Sequence, residues 1–204
     1  MINVRELFGE TDIYLLDQIL KDRFSFNASI LDAGCGGGRN LVYFLRNGNE
    51  VFGVDQSPEA IKCTRMLAKD ISPNLPAANF QVASIEQLPF DSNRFDAVIC
   101  SAVLHFARDE SHFELMLAEL WRVLKGGGLF FARFASSIGI EEKLELIKDR
   151  RYLLPDGSER FLVDQDLLAA TTARIGGIWL EPIKTTNVQN LRSMTTWVLR
   201  KSFI

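Results

Sequence analysis

A glycine cluster between an apolar segment and a helix-forming segment constrains this chain most. It lies within Ile30–Asn40, where Asp32 precedes Gly34 and the run Gly36–Gly38, and a helix-forming stretch follows over Leu41–Leu45. Glycine permits a turn with positive φ, and its missing Cβ lets the backbone approach a ligand closely. A helix that begins after such a turn offers unpaired N–H groups and the positive end of its dipole. The pattern therefore predicts the strand, loop and helix unit of an α/β protein, with a ligand held at the loop.

The spacing of these glycines separates two classes of cofactor. The dinucleotide fingerprint is G-x-G-x-x-G, and Arg39 stands where its third glycine would be. The chain also lacks a Tyr-x-x-x-Lys pair. Both features disfavour a Rossmann-type NAD(P)-binding reductase, which remains an alternative together with a glycine turn that is purely structural.

Three segments carry a resemblance to a known family. The Asp-x-Gly-x-Gly-x-Gly pattern that starts at Asp32 resembles the first motif of class I S-adenosylmethionine-dependent methyltransferases. Its continuation Gly38–Asn40 is similar to the version in small-molecule and tellurite-resistance-type members. Ser84–Phe90 resembles the family segment Gly-Asp-Ala-Glu-x-Leu-Pro-Phe, and Leu117–Gly128 resembles the helix and turn before strand five. The motifs occur in the family's order over roughly residues 28–135, as in methyltransferase domains 11 and 25.

The resemblance implies an α/β fold with a Rossmann-like, doubly wound sheet of seven strands. Most strands would be parallel, with one antiparallel strand near the C-terminus. We expect a single domain over residues 1–204, with a helical lid over 1–24 and a substrate-side insert over 136–160. Apolar periodicity predicts helices over 13–20, 58–70, 111–124, 141–151 and 164–174, the third capped by Gly126–Gly128. Apolar or β-rich runs predict strands at 30–33, 50–55, 80–83, 95–100, 129–134, 178–187 and 193–200.

The implied cofactor is S-adenosyl-L-methionine. Asp55 lies 23 residues after Asp32, at the end of the second predicted strand, where a carboxylate can accept both ribose hydroxyls. A helix N-cap is the alternative role, although Ser57 before Pro58 suits it better. By resemblance, the glycine loop would bind the methionine part and Gln56 would lie beside the adenine. The loop residues assigned to the cofactor are Asp32, Gly34, Cys35, Gly36, Gly38 and Arg39.

Two further loops contribute candidate residues by resemblance. Ser84 stands where many relatives carry an aspartate for the adenine amino group, and its hydroxyl can accept a hydrogen bond without charge. Ile85 would supply a backbone N–H and an apolar contact to the adenine ring. After the fourth predicted strand, Ser101 would contact the methionine part of the cofactor. His105 is the candidate catalytic base facing the acceptor, with a wall residue bonded to the backbone as its alternative.

Composition and charge exclude several classes of partner. The net charge is −3 without a basic stripe, and the loop after the fourth strand lacks the Asn/Asp-Pro-Pro-Tyr of nucleic-acid amine methylation, so no nucleic-acid partner is expected. Three cysteines without paired spacing favour a reducing, cytoplasmic compartment. The longest apolar run, over 97–107, is too short to span a membrane. His105 and His112 lack further ligands nearby, so no metal is expected.

These patterns lead to one functional expectation. The methyl group of S-adenosylmethionine is bonded to a positively charged sulfur and transfers readily to a nucleophile in line with it. An enzyme for this reaction contributes mainly positioning and the exclusion of water, which suits a chain with few conspicuous catalytic groups. We expect methyl transfer to a small-molecule acceptor, with a non-catalytic S-adenosylmethionine-binding protein as the alternative. The sequence assigns neither the acceptor atom nor the oligomeric state.

Overall fold

The strands alternate with helices in the order that the sequence predicts. The computed structural model describes residues 3–203. The strands are β1 Ser29–Ala33, β2 Glu50–Asp55, β3 Phe80–Val82, β4 Phe95–Ser101, β5 Leu124–Ala135, β6 Glu145–Lys148, β7 Arg151–Leu153, β8 Glu159–Phe161, β9 Gly177–Trp179, β10 Lys184–Val188 and β11 Arg192–Lys201.

Within the described residues, six α-helices and three short 3-10 turns precede or connect these strands. The helix α4 begins at Pro58 because Ser57 accepts a hydrogen bond from the Ala60 N–H and proline fits the first helical position. Among residues 3–203, none of the helices combines the length and the apolar character needed to cross a membrane. The helices are α1 Val4–Phe8, α2 Ile13–Leu20, α3 Val42–Arg46, α4 Pro58–Ile71, α5 Glu110–Val123 and α6 Gln165–Arg174, and the 3-10 turns are Ala77–Asn79, Leu104–Phe106 and Glu141–Lys143.

The main sheet confirms the predicted fold class. Its strand order is β10-β11-β5-β4-β1-β2-β3, and β9 pairs with β11 as an additional short strand. The strands β1 to β5 pair in parallel, whereas β11 runs antiparallel to β5, β9 and β10. The chain therefore winds outward from β1 through β2 and β3 and then returns to the other side of β1 at β4. Open sheets of this kind bind ligands at the carboxyl ends of the strands beside this switch point.

The core lies on both faces of this sheet. All five residues of β1 are buried, as expected of a parallel strand that is covered on both sides. Successive residues of β5 point to opposite faces, so Phe130 packs with Leu120 of α5 and Trp197 while Phe131 packs with Phe44 of α3. The apolar residues that predict the strands thus also form the surfaces against which the helices on both faces of the sheet pack.

The segment after β5 differs from the prediction. A helix over 141–151 was expected, but β6, β7 and β8 form a separate three-stranded antiparallel sheet there, so that prediction is wrong. The cause is a two-residue hairpin turn at Asp149 and Arg150, whose φ angles are 48° and 62°. Two consecutive positive φ values match the twist of a tight hairpin and cannot continue a helix. Leu146 and Ile147 are exposed on β6, so their apolar character does not mark a buried helical face.

The predicted glycine cap of α5 is also wrong. The helix ends at Val123, and Leu124 already has extended backbone geometry. Gly126–Gly128 lie within the first half of β5 rather than at a helix end. A Cβ on Gly127 would lie 2.2 Å from the Phe203 ring, so close packing of the C-terminal segment requires this glycine.

Candidate functional site

A crevice with a cavity volume of about 260 Å³ opens at the carboxyl ends of the parallel strands. Loops that follow β1, β2, β3 and β4 contribute to it, together with the start of α5. It therefore lies where the strand order predicts a ligand. The lining residues are Gly34, Asp55, Gln56, Ala83, Ser84, Ile85, Glu86, Ala102, Val103, Phe106, His112 and Met116.

The glycine loop is fixed between two strand ends. The N–H groups of Gly34 and Cys35 both donate to the carbonyl of Val54, at 2.8 and 2.9 Å. Gly34 has a φ of 80°, and a Cβ there would lie 2.3 Å from Cγ2 of Val103. The loop can thus pass under the loop after β4 only because residue 34 is glycine.

Asp55 connects the glycine loop to the start of α4. Its Oδ2 accepts a hydrogen bond from the Gly36 N–H at 2.9 Å, and its Oδ1 accepts one from the Ser57 N–H at 2.9 Å. Each carboxylate oxygen keeps a second lone pair. Because Asp55 also lines the crevice, it can accept hydrogen bonds from a ligand there while it holds the loop.

Asp32 is buried in β1, two residues before Gly34. Its side chain is fully buried, and neither carboxyl oxygen has a hydrogen-bond partner among the described residues. Burial raises the pKa of Asp32 to about 7, although the charge of Arg39 opposes this shift. A buried carboxyl without a partner is costly, and a positively charged ligand group would satisfy it.

The crevice gathers most of the residues predicted for the adenosine part of the cofactor. Asp55, Gln56, Ser84 and Ile85 all line it, although they come from two separate loops. Gly34, predicted for the methionine part, lines the same space. The predicted set is therefore brought together by the strand ends, while the role of each residue stays a prediction.

Six predicted cofactor residues lie outside the lining of the crevice, namely Asp32, Cys35, Gly36, Gly38, Arg39 and Ser101. Gly38 packs against Leu67 of α4, and Arg39 is exposed. The Cys35 thiol is buried beside the Thr64 hydroxyl, and burial raises its pKa. Ser101 is buried under the N-terminal segment. Their predicted contacts with a cofactor remain predictions.

Glu86 and His112 form a polar pair in the crevice that sequence reasoning missed. The Nδ1 of His112 accepts a hydrogen bond from the Arg108 N–H, so its Nε2–H donates to Oε1 of Glu86 at 2.6 Å. Burial of the Glu86 carboxyl favours its neutral form, but hydrogen bonds from its own backbone, from His112 and from Ser84 outweigh burial and lower its pKa. Glu86 therefore presents a negative charge to the crevice. The two residues are 26 positions apart, and no local pattern announces their contact.

Asp12, the residue before α2, is a second residue for which no role in the site was expected. It does cap that helix, since its Oδ1 accepts from the Tyr14 N–H. Its Oδ2 also accepts from the Ser101 hydroxyl at 3.4 Å and from Nη1 of Arg133 at 3.3 Å. Its own N–H donates to Oδ1 of Asn40. Asp12 thereby joins the N-terminal helices to the ends of β1, β4 and β5.

His105 lies in the 3-10 turn after β4. Its Nδ1 accepts a hydrogen bond from the Ala135 N–H at 3.2 Å, so Nε2 carries the proton of the neutral ring. Burial, and then the charges of Arg160 and Arg133, lower the pKa of His105 to about 4. At neutral pH this imidazole is a hydrogen-bond donor whose one acceptor nitrogen is occupied. The geometry matches the wall residue bonded to the backbone, and the catalytic role of His105 stays a prediction.

A second cavity, of about 250 Å³, lies on the other side of the loop after β4. Ala102 lines both cavities and has a φ of 63°, which is unusual for a residue with a side chain. The cavity is lined by Ala102, His105, Arg133, Ala135, Leu154, Asp156, Ser158, Arg160, Val188, Arg192 and Met194.

Metal-ligating side chains do not cluster in either cavity. Within the described part of the chain, no three His, Cys, Asp or Glu side chains come together in a way that could hold a metal ion.

Comparison with known proteins identifies a family. Residues 31–132, half of the chain, match the Methyltransferase domain family. A Ubiquinone biosynthesis O-methyltransferase of Alkalilimnicola ehrlichii is 29% identical over 152 residues, which cover 68% of this chain and 60% of that protein. The chain spans between 41% and 60% of the length of the curated relatives it matches.

Two solved structures share the fold at low identity. A SAM-dependent methyltransferase of Methanosarcina mazei is 18% identical with a TM-score of 0.75, and the match covers 91% of this chain and 98% of that one. The 1,6-didemethyltoxoflavin-N1-methyltransferase of Burkholderia thailandensis, solved with 1,6-didemethyltoxoflavin and S-adenosylhomocysteine, is 19% identical with a TM-score of 0.71. That match covers 96% of this chain and 80% of the other. At such identities the likeness establishes the fold.

Proposed function

The chain belongs to the Methyltransferase domain family, and on this premise we propose that it is a methyltransferase that uses S-adenosylmethionine and acts on a small-molecule acceptor. The observation that carries the proposal is the pair of carboxylates, Asp32 and Asp55, beside the glycine loop. The three cysteines are free, which suits action in the reducing cytoplasm.

The crevice, together with the buried Asp32 two residues before Gly34, fits the charged and polar groups of this cofactor. The Asp32 carboxyl has no hydrogen-bond partner among the described residues, and the ammonium group of the methionine part would supply one. Asp55 has lone pairs available for the two ribose hydroxyls while it holds Gly36. The loop backbone at Gly36 lies open, since a Cβ there would meet nothing within 4 Å among the described residues.

Methyl transfer places modest demands on the protein. When bound, the sulfonium of S-adenosylmethionine supplies a methyl group that is already activated for displacement. The chain would contribute a fixed acceptor position, alignment and the exclusion of water. The second cavity adjoins the crevice at Ala102, which lines both, so we place the acceptor in that second cavity.

We further propose a division of labour within a single domain. The N-terminal segment over 1–24, of which residues 3–24 are described, would act as a lid, because Asp12 ties it to Ser101 and Arg133. The segment over 136–160 would set acceptor specificity. Leu154, together with Asp156, Ser158 and Arg160 of the same hairpin, supports this role because these residues line the second cavity.

A turnover assay tests the proposed activity. Incubation with S-adenosylmethionine carrying a labelled methyl group and a metabolite panel should yield a methylated product and one equivalent of S-adenosylhomocysteine. The panel should include hydroxylated ubiquinone precursors, since curated relatives are named for ubiquinone biosynthesis. Cofactor binding without turnover on any acceptor would instead favour a non-catalytic binding protein.

Replacing His105 by alanine should lower turnover while S-adenosylhomocysteine affinity stays within twofold. We expect a five- to tenfold loss of kcat, because one hydrogen bond from Nε2–H to the acceptor contributes on the order of 1 kcal/mol. His105→Gln, which keeps a donor, should recover part of the rate. Steady-state kinetics with the acceptor found above measures both, and equal rates for alanine and parent would remove His105 from catalysis.

Glu86 should determine the preference for an adenine amino group, since its charged carboxylate faces the crevice where Ser84 offers only a hydroxyl. We expect the parent to bind S-adenosylhomocysteine at least tenfold more tightly than S-inosylhomocysteine, in which an oxygen replaces the amino group. A hydrogen bond to a charged group contributes about 1.5–3 kcal/mol. Glu86→Gln should lose most of this preference, whereas Glu59→Gln, at an exposed position on α4, should keep it. Calorimetric titration that gives the same ratio for Glu86→Gln and parent would rule out this role.

A further inference from the structure

The second cavity is rich in positive charge. Three guanidinium groups line it, from Arg133 on β5, Arg160 on β8 and Arg192 at the start of β11. Asp156 is the one acidic side chain in its lining. Three separate elements of the fold therefore bring arginines to a single cavity. This concentration of positive charge favours an anionic ligand over an uncharged one.

These arginines keep hydrogen-bonding capacity that the protein does not use. The Nε of Arg133 is buried and has no hydrogen-bond partner among residues 3–203, although Nη1 contacts Asp12. Arg160 donates to the Glu159 carbonyl and has no carboxylate within 4.0 Å in the described part of the chain. Arg192 likewise forms no ion pair with any residue from 3 to 203. By contrast, Arg150 next to β7 contacts both Glu110 and Asp164.

The cavity also lies beside the proposed cofactor crevice. Ala102 lines both spaces, and Phe106, which lines the crevice, lies 5.0 Å beneath the Arg160 guanidinium. His105 contacts the Phe106 ring and lines the second cavity, and its hydrogen bond with Ala135 leaves the Nε2–H unused. A molecule in this cavity would therefore meet positive charge and a neutral donor next to the bound methyl donor.

We propose that the second cavity binds a carboxylate or phosphate group of the methyl acceptor, held by Arg160 and Arg192 with Arg133 behind them. Arginine suits either anion because its planar group donates two parallel hydrogen bonds. The proposal rests on the proposed function, since it assigns the acceptor of that reaction to an anionic class. An uncharged acceptor would leave the guanidinium groups facing an apolar surface, with their hydrogen bonds to water lost.

The lowered pKa of His105 agrees with this assignment. Burial is the largest cause of the lowered His105 pKa, and the charges of Arg160 and Arg133 lower it further. The positive charge of these arginines therefore reaches the wall of the cavity. A neutral His105 adds a donor without adding a proton that titrates near pH 7. An anion beside it would meet donors from the wall and charge from the arginines.

Three small probes test the proposal. Benzoate, phenyl phosphate and uncharged benzamide would be titrated calorimetrically into the full chain, both alone and saturated with S-adenosylhomocysteine. We expect at least one of the two anions to bind tenfold more tightly than benzamide. Arg160→Gln and Arg192→Gln should each weaken anion binding at least fivefold. Arg174→Gln, which alters an ion pair with Glu114 at the surface, is the matched control and should change nothing.

Each outcome decides the matter. Tighter binding of phenyl phosphate indicates a phosphorylated acceptor, and tighter binding of benzoate indicates a carboxylated acceptor. Both results support the proposal. Equal affinity for benzoate, phenyl phosphate and benzamide, no binding of either anion, or unchanged anion affinity in both arginine variants would overturn it. Saturating the protein with S-adenosylhomocysteine shows separately whether the cofactor binds. Because the probes are also measured on the protein alone, loss of anion binding can be distinguished from failure of the proposed function.

Discussion

Replacing Asp32 by asparagine should raise the free energy of unfolding of the ligand-free protein by about 4 kcal/mol at pH 8, which is the free-energy equivalent of the raised Asp32 pKa. The cause is a carboxyl that is fully buried without a partner among the described residues. Burial raises its pKa to about 7, whereas the unfolded chain has the ordinary value of 3.8. Asparagine has nearly the same shape and never carries the charge.

The pH dependence of stability gives this prediction its sign. Between pH 4 and 7 the folded protein keeps the proton on Asp32 while the unfolded chain has released it, so folding binds a proton and stability falls as pH rises. The contribution of the protonated carboxyl is complete below pH 4 and is lost once pH exceeds 7. The gain in Asp32→Asn over the parent should therefore be large at pH 8 and vanish near pH 4.

The same variant should bind the cofactor poorly. Asparagine carries no negative charge to pair with an ammonium group, so S-adenosylhomocysteine affinity should fall about 10- to 100-fold, or roughly 1.5–3 kcal/mol. Urea unfolding at pH 4.5, 6 and 8 measures the stability, and calorimetry measures the affinity. A variant that is less stable than the parent at pH 8, or that keeps full affinity, would contradict the role given to Asp32.

Replacing Asp55 by alanine should weaken S-adenosylhomocysteine binding by about 1–3 kcal/mol, which is roughly 5- to 150-fold, because ribose hydroxyls in the crevice would lose their acceptor. The same change releases the N–H groups of Gly36 and Ser57. Part of the loss could thus arise from a displaced loop rather than from the ribose. Asp70→Ala, at an exposed position near the end of α4, is the matched control and should bind normally.

A comparison of two ligands separates these causes. The parent should discriminate S-adenosylhomocysteine from its 2′-deoxy analogue, and Asp55→Ala should lose that discrimination. A displaced loop would weaken both ligands equally and leave their ratio unchanged. Calorimetric affinities for the two ligands in both proteins decide between the two explanations.

The sheet and the crevice follow from local patterns in the sequence. Each local pattern predicts the element in which it lies. The apolar run predicts β1, the glycines predict the loop after it, and the acid marks the end of β2. The parallel arrangement then brings Gly34, Asp55 and Ser84 to one edge without further information. This is why the α/β class, Gly34 and Asp55 could be predicted from the residues, whereas Gln56, Ser84 and Ile85 were assigned through the family resemblance.

The rest of the site depends on contacts between distant residues. Asp12 meets Arg133 across 121 positions, and the Glu86–His112 pair spans 26. Arg160 and Arg192 reach the second cavity from hairpins whose placement no local pattern indicates. The one wrong helix has a similar origin, because the turn at 149–150 needs two positive φ values that neither residue type announces.

The central claim is that the crevice beside β1 and β2 holds the adenosine and amino-acid parts of S-adenosylmethionine. Titration of the purified full chain with S-adenosylhomocysteine, with NADPH as the competing ligand, tests it most directly. We expect saturable binding of one S-adenosylhomocysteine per chain, undisturbed by excess NADPH and weakened in Asp55→Ala. Binding of NADPH in its place, or no heat of binding at saturating S-adenosylhomocysteine, would contradict the claim.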